Sequence, residues 1–407
     1  MPSGRTCPQC GRSIPPGQFE CPHCNRRSAF APETILALSL VGLAVLFTLT
    51  GITARLYHAK AESLGREWYA RGEADLQAGK AEAAIADLRT ALVYTRDSDL
   101  YQLSLAQALI AANRTAEART YLAGLWQLHP EDAVVNLELG RLEARVGNVD
   151  DALRYFHNAV YADWGSQDPA ESRREARMEL YNFLLSRGSR AQAQAELVAM
   201  AADLPPDPAL HTQMGGLFLN ASDYARALKE FEEALHLGGG GEAALAGAGE
   251  AEYLQGDYRQ ARHYLERAHR ENPGDPRLSE MLDQTNLILA ADPFEPGLAG
   301  EERDRRAINA LNQALVRLGT CGMPVEGSQA AGLTPPADLS LAPLYARART
   351  FERQAQMETL RRNPDLVAEI MDLVFQIEQT TAHECRPPEA LDRALILLAR
   401  QHGSAGK

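Results

Sequence analysis

Four cysteines fall within the first 24 residues as two pairs of one spacing, Cys7-Pro8-Gln9-Cys10 and Cys21-Pro22-His23-Cys24. Two residues between thiols let a single tight turn offer both sulfurs to one ion at about 2.3 Å, and four such sulfurs complete a tetrahedron suited to zinc. Gly11 and Asn25 follow each second cysteine, where the chain must often turn left-handed. Pro15, Pro16 and Gly17 make a compact connection between the knuckles. Disulfide pairing is the alternative use of these thiols. A thioredoxin-like role needs a βαβ context that neither pair has. Covalent haem attachment needs a histidine where Asn25 stands. His23 reads as an exposed turn residue. Some 30 residues cannot bury a core, so residues 1–30 depend on the metal to fold.

The paired knuckles resemble the zinc-ribbon family, and Cys7, Cys10, Cys21 and Cys24 match its ligand positions one for one. Zinc ribbons sometimes bind nucleic acid. Here Arg5, Arg12, Arg26 and Arg27 are scattered, with Phe19 the main aromatic, which is a weak footprint. Residues 1–54 carry +2, which leaves −15 on the rest of a chain whose net charge is −13. So acidic a remainder repels phosphate backbones, and nucleic acid is not expected as its partner.

From Thr34 to Ala54 no residue is charged. As a helix this stretch is about 31 Å long, the thickness of a hydrocarbon core. It is apolar on all faces, unlike the core helix of a soluble protein. Ala59-Lys60-Ala61 looks like a cleavage site, but the apolar stretch exceeds that of a signal peptide and a cysteine domain precedes it. The expectation is an uncleaved transmembrane helix over 34–54, in contact with the lipid bilayer. Basic residues flank both ends, so charge does not orient it. Thiol chemistry does: zinc-binding thiolates persist in a reducing cytosol. The N-terminus is expected inside a bacterial inner membrane, with the larger part on the periplasmic side.

Beyond residue 64 the chain repeats itself. Ala84, Ala118 and Ala152 are spaced by 34, as are Ala193, Ala227 and Ala261, with one seven-residue insertion near 167–173 between the triplets. Gly72, Ala106, Gly140, Tyr181, Gly215 and Gly249 form a second column. Leu88, Leu122, Phe156, Leu197, Phe231 and Leu265 form a third, and Ala91, Leu125, Ala159, Met200, Ala234 and Ala268 a fourth. Small columns let paired helices approach, while the large column fills the groove between them. Gly79, Gly147, Gly188 and Gly256 fall at the turns, and Pro130, Pro205 and Pro273 close their repeats. No heptad is sustained, which argues against a coiled coil.

In period and columns this segment resembles the tetratricopeptide-repeat family, six repeats over 65–275, with Trp68 opening the first and Asp223-Tyr224 and Asp257-Tyr258 in the last two turns. The resemblance implies an α-α superhelix whose first helices line a concave groove. It directs Tyr69, Glu73, Leu103, Gln107, Leu137, Arg141, Met178, Asn182, Thr212, Glu250 and Tyr253 into that groove, toward a segment of a partner protein. Only Arg141 and Asn182 fit the family's carboxylate clamp, whose lysines are absent, so a mixed apolar and polar groove is expected.

Residues 276–291 read as a capping helix. A small helical domain is expected over 299–402, with apolar residues at helical spacing from Ile308, Leu344, Val367 and Leu391 onward. Cys321 and Cys385 fall at helix ends, where a disulfide would pin two loops; two buried free thiols are the alternative. His383 beside Cys385 suggests a dyad, but no oxyanion donor accompanies it.

The fold class is therefore all-α, with a zinc ribbon and one membrane helix ahead of the solenoid. No HExxH, phosphate loop, GxSxG or haem motif occurs, so no enzyme is expected. The inventory of anchor, repeats and metal domain resembles that of the bacterial regulator of lipopolysaccharide assembly, in a different order. That implies a membrane-anchored scaffold in a cell-envelope assembly. The alternative is a membrane-bound regulatory or signalling protein whose zinc ribbon contacts nucleic acid or a regulator.

Overall fold

The computed structural model describes residues 5–18, 20–25, 32–162, 164–165, 168–324, 341–382, 385 and 387–404. Phe19, Arg26, Arg27 and His383 lie outside them, as does Gln167 at the insertion. Two compact units divide the chain near residue 180.

The first unit opens with β1 (Arg5–Thr6) and β2 (Ser13–Ile14), an antiparallel pair with Arg5 opposite Ile14. Then comes α1 (Pro32–Gln77), one helix of 46 residues, about 69 Å long at 1.5 Å per residue. The expected span and the first repeat are thus a single element. The reason is local: residues 55–64 hold no glycine or proline, so nothing ends the helix at Ala54. From Ile35 to Leu56 every large apolar side chain is at least half exposed, so this stretch packs on nothing among the described residues.

The C-terminal part of α1 packs on α2 (Ala81–Tyr94), followed by α3 (Asp99–Ala111), α4 (Thr115–Leu128), α5 (Ala133–Val146) and α6 (Val149–Tyr161). Ala84, Leu88, Ala118, Leu122, Ala152 and Phe156 are all buried, as the columns require. The turns use left-handed backbone at Gly79 and Gly147, and Asn113 occupies the equivalent place at φ 60°. Asparagine tolerates that conformation better than most residues, so the turn survives without glycine. α7 (Pro169–Ser186) has 18 residues, longer than α3 or α5, so the inserted residues partly lengthen a helix. Trp164 is buried ahead of it, with its indole N–H donating to the Ala159 carbonyl at 3.0 Å.

The second unit continues the helix pairs with α8 (Arg190–Ala202), α9 (Pro208–Asn220), α10 (Tyr224–His236), α11 (Gly241–Gln255) and α12 (Tyr258–Glu271). Asp223 and Asp257 cap α10 and α12 by accepting from the Arg226 and Gln260 amides, which explains the Asp-Tyr pairs in those turns. α13 (Pro276–Ala291) packs on α12 and also on α18 (Ala390–Ser404). Between them lie α14 (Gly300–Thr320), α15 (Ala342–Gln354), α16 (Met357–Arg362) and α17 (Asp365–Thr381). Tyr258 and Ile288 share one buried cluster with Leu311, Leu318, Ile370, Val374 and Leu395. The C-terminal helices therefore grow on the last repeat and share its core.

Candidate metal centre and binding groove

The two knuckles bring all four N-terminal sulfurs within 4.8 Å of one another. Cys7 Sγ lies 3.6 Å from Cys24 Sγ, and Cys10 Sγ lies 3.6 Å from Cys21 Sγ. A tetrahedron of sulfurs about 2.3 Å from its centre has edges of roughly 3.8 Å, so these separations fit a single ion. Each turn is closed by an amide after the second cysteine: Gly11 N–H donates to the Cys7 carbonyl and Asn25 N–H to the Cys21 carbonyl, both at 2.9 Å. Gly11 and Asn25 adopt φ of 67° and 47°, the left-handed turn their residue types suggested. Amides within the knuckles point at sulfur. Those of Gln9 and Cys10 bring the Cys7 thiol down to about 6, and that of His23 leads the lowering at Cys21. Donors aimed at sulfur favour thiolate, the form that binds metal. Ile14 is buried with Cys7 and Cys21, and it is the only other apolar residue in that cluster among the described residues. So small a core leaves cohesion to the ligands. His23 stays beside the site, its ring 3.3 Å from the Arg12 guanidinium.

The groove candidates all lie on first helices of the pairs. In the first unit, Tyr69 and Glu73 are on α1, Leu103 and Gln107 on α3, Leu137 and Arg141 on α5, and Met178 on α7. They are not free to the degree the family pattern suggested. Tyr69 stacks on Tyr101 with ring centroids 4.6 Å apart, and Leu137 is buried. The Arg141 guanidinium forms a fork onto Glu179, with Nε donating at 2.8 Å, and reaches Glu138 at 2.6 Å. Gln107 donates to the same Glu138 oxygen at 2.8 Å. Gln107, Glu138, Arg141 and Glu179 thus form a polar ladder across α3, α5 and α7. Glu138 and Glu179 were missed, although the repeat arithmetic contains them: Glu179 stands one long repeat after Glu138, and Glu138 precedes Arg141 by three. Glu73, Leu103 and Met178 are half-buried on this face, beside that ladder.

In the second unit Asn182 is exposed on α7. The Thr212 hydroxyl on α9 donates to the Pro208 carbonyl at 2.7 Å, so its hydrogen is used locally. Glu250 and Tyr253 lie on α11. Tyr253 meets the Tyr258 ring edge-on at 5.5 Å and packs on the core of the C-terminal helices. Tyr253 is accordingly a packing residue, and the reason is that α13–α18 cover the end of the last repeat. Cys321 and Cys385 are bonded, with Cα atoms 5.3 Å apart, and tie the end of α14 to the segment after α17.

Profiles of the tetratricopeptide-repeat family match residues 69–133, 109–163 and 218–284. No curated protein matches the sequence. Among solved structures, PilF of Pseudomonas aeruginosa is 19% identical over 55% of this chain and 99% of its own, with a TM-score of 0.37. PilW, a widely conserved type IV pilus biogenesis factor, is 16% identical over 54% of this chain and 98% of its own, also at 0.37. The C-terminal part of a repeat protein from Cytophaga hutchinsonii is 14% identical over 60% of this chain and 94% of its own, at 0.42. These likenesses reach no further than the fold. The chain carries tetratricopeptide repeats over the matched residues, a four-cysteine cluster that fits a zinc ribbon and, among the described residues, one helix apolar enough to cross a membrane.

Proposed function

We propose that this protein is a membrane-anchored scaffold for a cell-envelope assembly, holding a segment of a partner protein along the first helices of its repeats. The observation that carries the reading is α1, at once the apolar span and the first helix of the first repeat. A repeat array built that way has no flexible tether, so whatever it binds is held at a defined height above the bilayer. Zinc in the Cys7, Cys10, Cys21 and Cys24 site supplies the folding free energy that so small a domain lacks. The metal-binding thiolates belong in the reducing cytosol, and the Cys321–Cys385 bond belongs on the oxidising side with the repeats.

The test uses groove residues whose loss leaves the helices intact. Arg141 is a poor choice, because removing it strands the buried Glu138 carboxylate. Leu103→Glu and Met178→Glu put a charge on the open part of the face instead. At equal folded concentration, each variant should lose captured partner by about tenfold, the effect of removing one anchoring contact of 1–2 kcal/mol. Full retention by both, with loss on deleting residues 299–402, would move the binding surface to the C-terminal helices.

A further inference from the structure

We infer that the edge of the array from which α1 emerges rests on the bilayer surface, with exposed apolar side chains of α2, α3, α4 and α6 set among lipid headgroups. This inference rests on reading α1 as a membrane span. A Cβ at Gly65 of α1 would lie 2.7 Å from the Thr95 hydroxyl and 3.6 Å from the Ala91 carbonyl, so the end of α2 is level with residue 65. Because the pairs are antiparallel, the ends of α4 and α6 and the starts of α3 and α5 share that edge. The turns at Gly79, Asn113 and Gly147 occupy the opposite one.

Large apolar side chains are distributed unevenly between the two. Beyond α1, the exposed ones among the described residues of the first unit are Val93, Tyr94, Leu100, Leu128, Tyr161 and Val146. The first five end or begin helices on the α1 side, and only Val146 adjoins a turn of the far side. Val93, Leu128 and Tyr161 are 66–73% exposed, so they contribute nothing to the packing columns. Apolar side chains gathered at one edge of the array, and all but absent from the other, suit an edge that meets an apolar or interfacial phase.

The bilayer is such a phase within reach. Ala54 and Gly65 are separated by about 16 Å of helix. The headgroup layer fills roughly 5–7 Å of that. Helices α2 to α6 extend sideways some 20–30 Å at 8–10 Å per helix. A tilt of roughly 30°, within the ordinary range for a membrane helix, lowers the outer part of the edge by about 10–15 Å. Since α1 has no break between residues 55 and 64, its tilt is the tilt of the array. Charge along the edge is mixed: Arg96 and His129 stand among Asp97, Asp99 and Glu131, with His129 Nε2 3.2 Å from Asp99. Contact driven by apolar side chains does not require anionic lipid.

The test places a photo-crosslinking residue at Val93, Leu128 or Tyr161 in the full chain, reconstituted in vesicles of phosphatidylcholine alone or with phosphatidylglycerol. Controls carry it at Val146 and at Leu43. The expected result is lipid adducts at Leu43 in every case, and adducts at the three edge positions several-fold above Val146 in both lipid mixtures. A triple Glu variant at the three positions should lower adduct formation from a probe at Leu100 without changing the melting temperature. Edge labelling no higher than at Val146 while Leu43 labels strongly, or adducts to a second copy of the chain, would overturn the proposal. A silent Leu43 would instead overturn the membrane span beneath it.

Discussion

The ring of Phe231 sits in a slot between two glycines on successive first helices. A Cβ at Gly215 would come within 2.7 Å of it, and one at Gly247 within 2.2 Å. Alanine in place of a mid-helix glycine ordinarily stabilises by about 0.5–1 kcal/mol. Here the ring is buried and wedged from both sides, so overlap outweighs propensity. Gly247→Ala should destabilise by about 1–3 kcal/mol and lower the melting temperature. Phe231→Leu should recover part of that loss in a double-mutant cycle, because the smaller side chain vacates the contested space. A Gly247→Ala protein that melts at or above the parent temperature would contradict the slot. Gly215 was legible in the sequence as a column member; Gly247 was not, since it belongs to the next helix and to no column. The same limit explains the groove. Periodicity indicates which way a residue faces, but not that Glu179 already occupies the guanidinium of Arg141.

Among the elements, α14, α17 and α18 enclose a cluster that their amphipathic patterns did not announce. Arg317 is buried and donates to the Thr381 carbonyl at 2.6 Å and to its hydroxyl at 3.1 Å. Asp392 lies 4.0 Å from it and accepts from Gln313 at 2.6 Å. Glu378 is wholly buried nearby, and among the described residues neither of its carboxylate oxygens has a hydrogen-bond partner. Burial first, and the charge of Asp392 second, push its carboxyl up to about 8, against the pull of Arg317. The folded chain therefore holds this proton where the unfolded chain has released it. Its contribution to stability is intact below about pH 4.5 and is lost as pH rises toward 8. Glu378→Gln keeps the shape and removes the titration. It should flatten the decline in melting temperature of the C-terminal helices across that window and stabilise them at pH 8 by on the order of 1–3 kcal/mol. An unchanged pH profile would mean that Glu378 is charged in the fold. Helix existence was readable here from period alone, and the short α16 was not, because six residues carry too little pattern. The capping helix α13 was readable, but the sharing of one core by the C-terminal helices and the last repeat was hidden, since Tyr258 looks like a turn residue until its partners are known.

At the scale of the whole molecule, one apolar helix separates two kinds of cysteine. Four thiols fit a metal, and the remaining two form a bond 64 residues apart in the chain. This division was visible in the sequence because CxxC spacing carries its own chemistry, whereas the pairing of Cys321 with Cys385 depends on helices packing elsewhere. If the knuckles face the cytosol and the repeats the opposite side, thiol labelling of intact cells has a definite pattern. A membrane-impermeant maleimide should label nothing at first, because the outer cysteines are bonded. After an impermeant reductant it should label Cys321 and Cys385, with the latter more accessible since Cys321 is buried. Cys7, Cys10, Cys21 and Cys24 should react only once the membrane is opened and a chelator has removed the metal, as metal-bound thiolates are poor nucleophiles while bound. Each mole of protein should release one mole of zinc at that step. Labelling of the four N-terminal thiols in intact cells would invert the topology. Labelling of Cys321 and Cys385 without reductant would remove the argument from redox compartment on which the orientation rests.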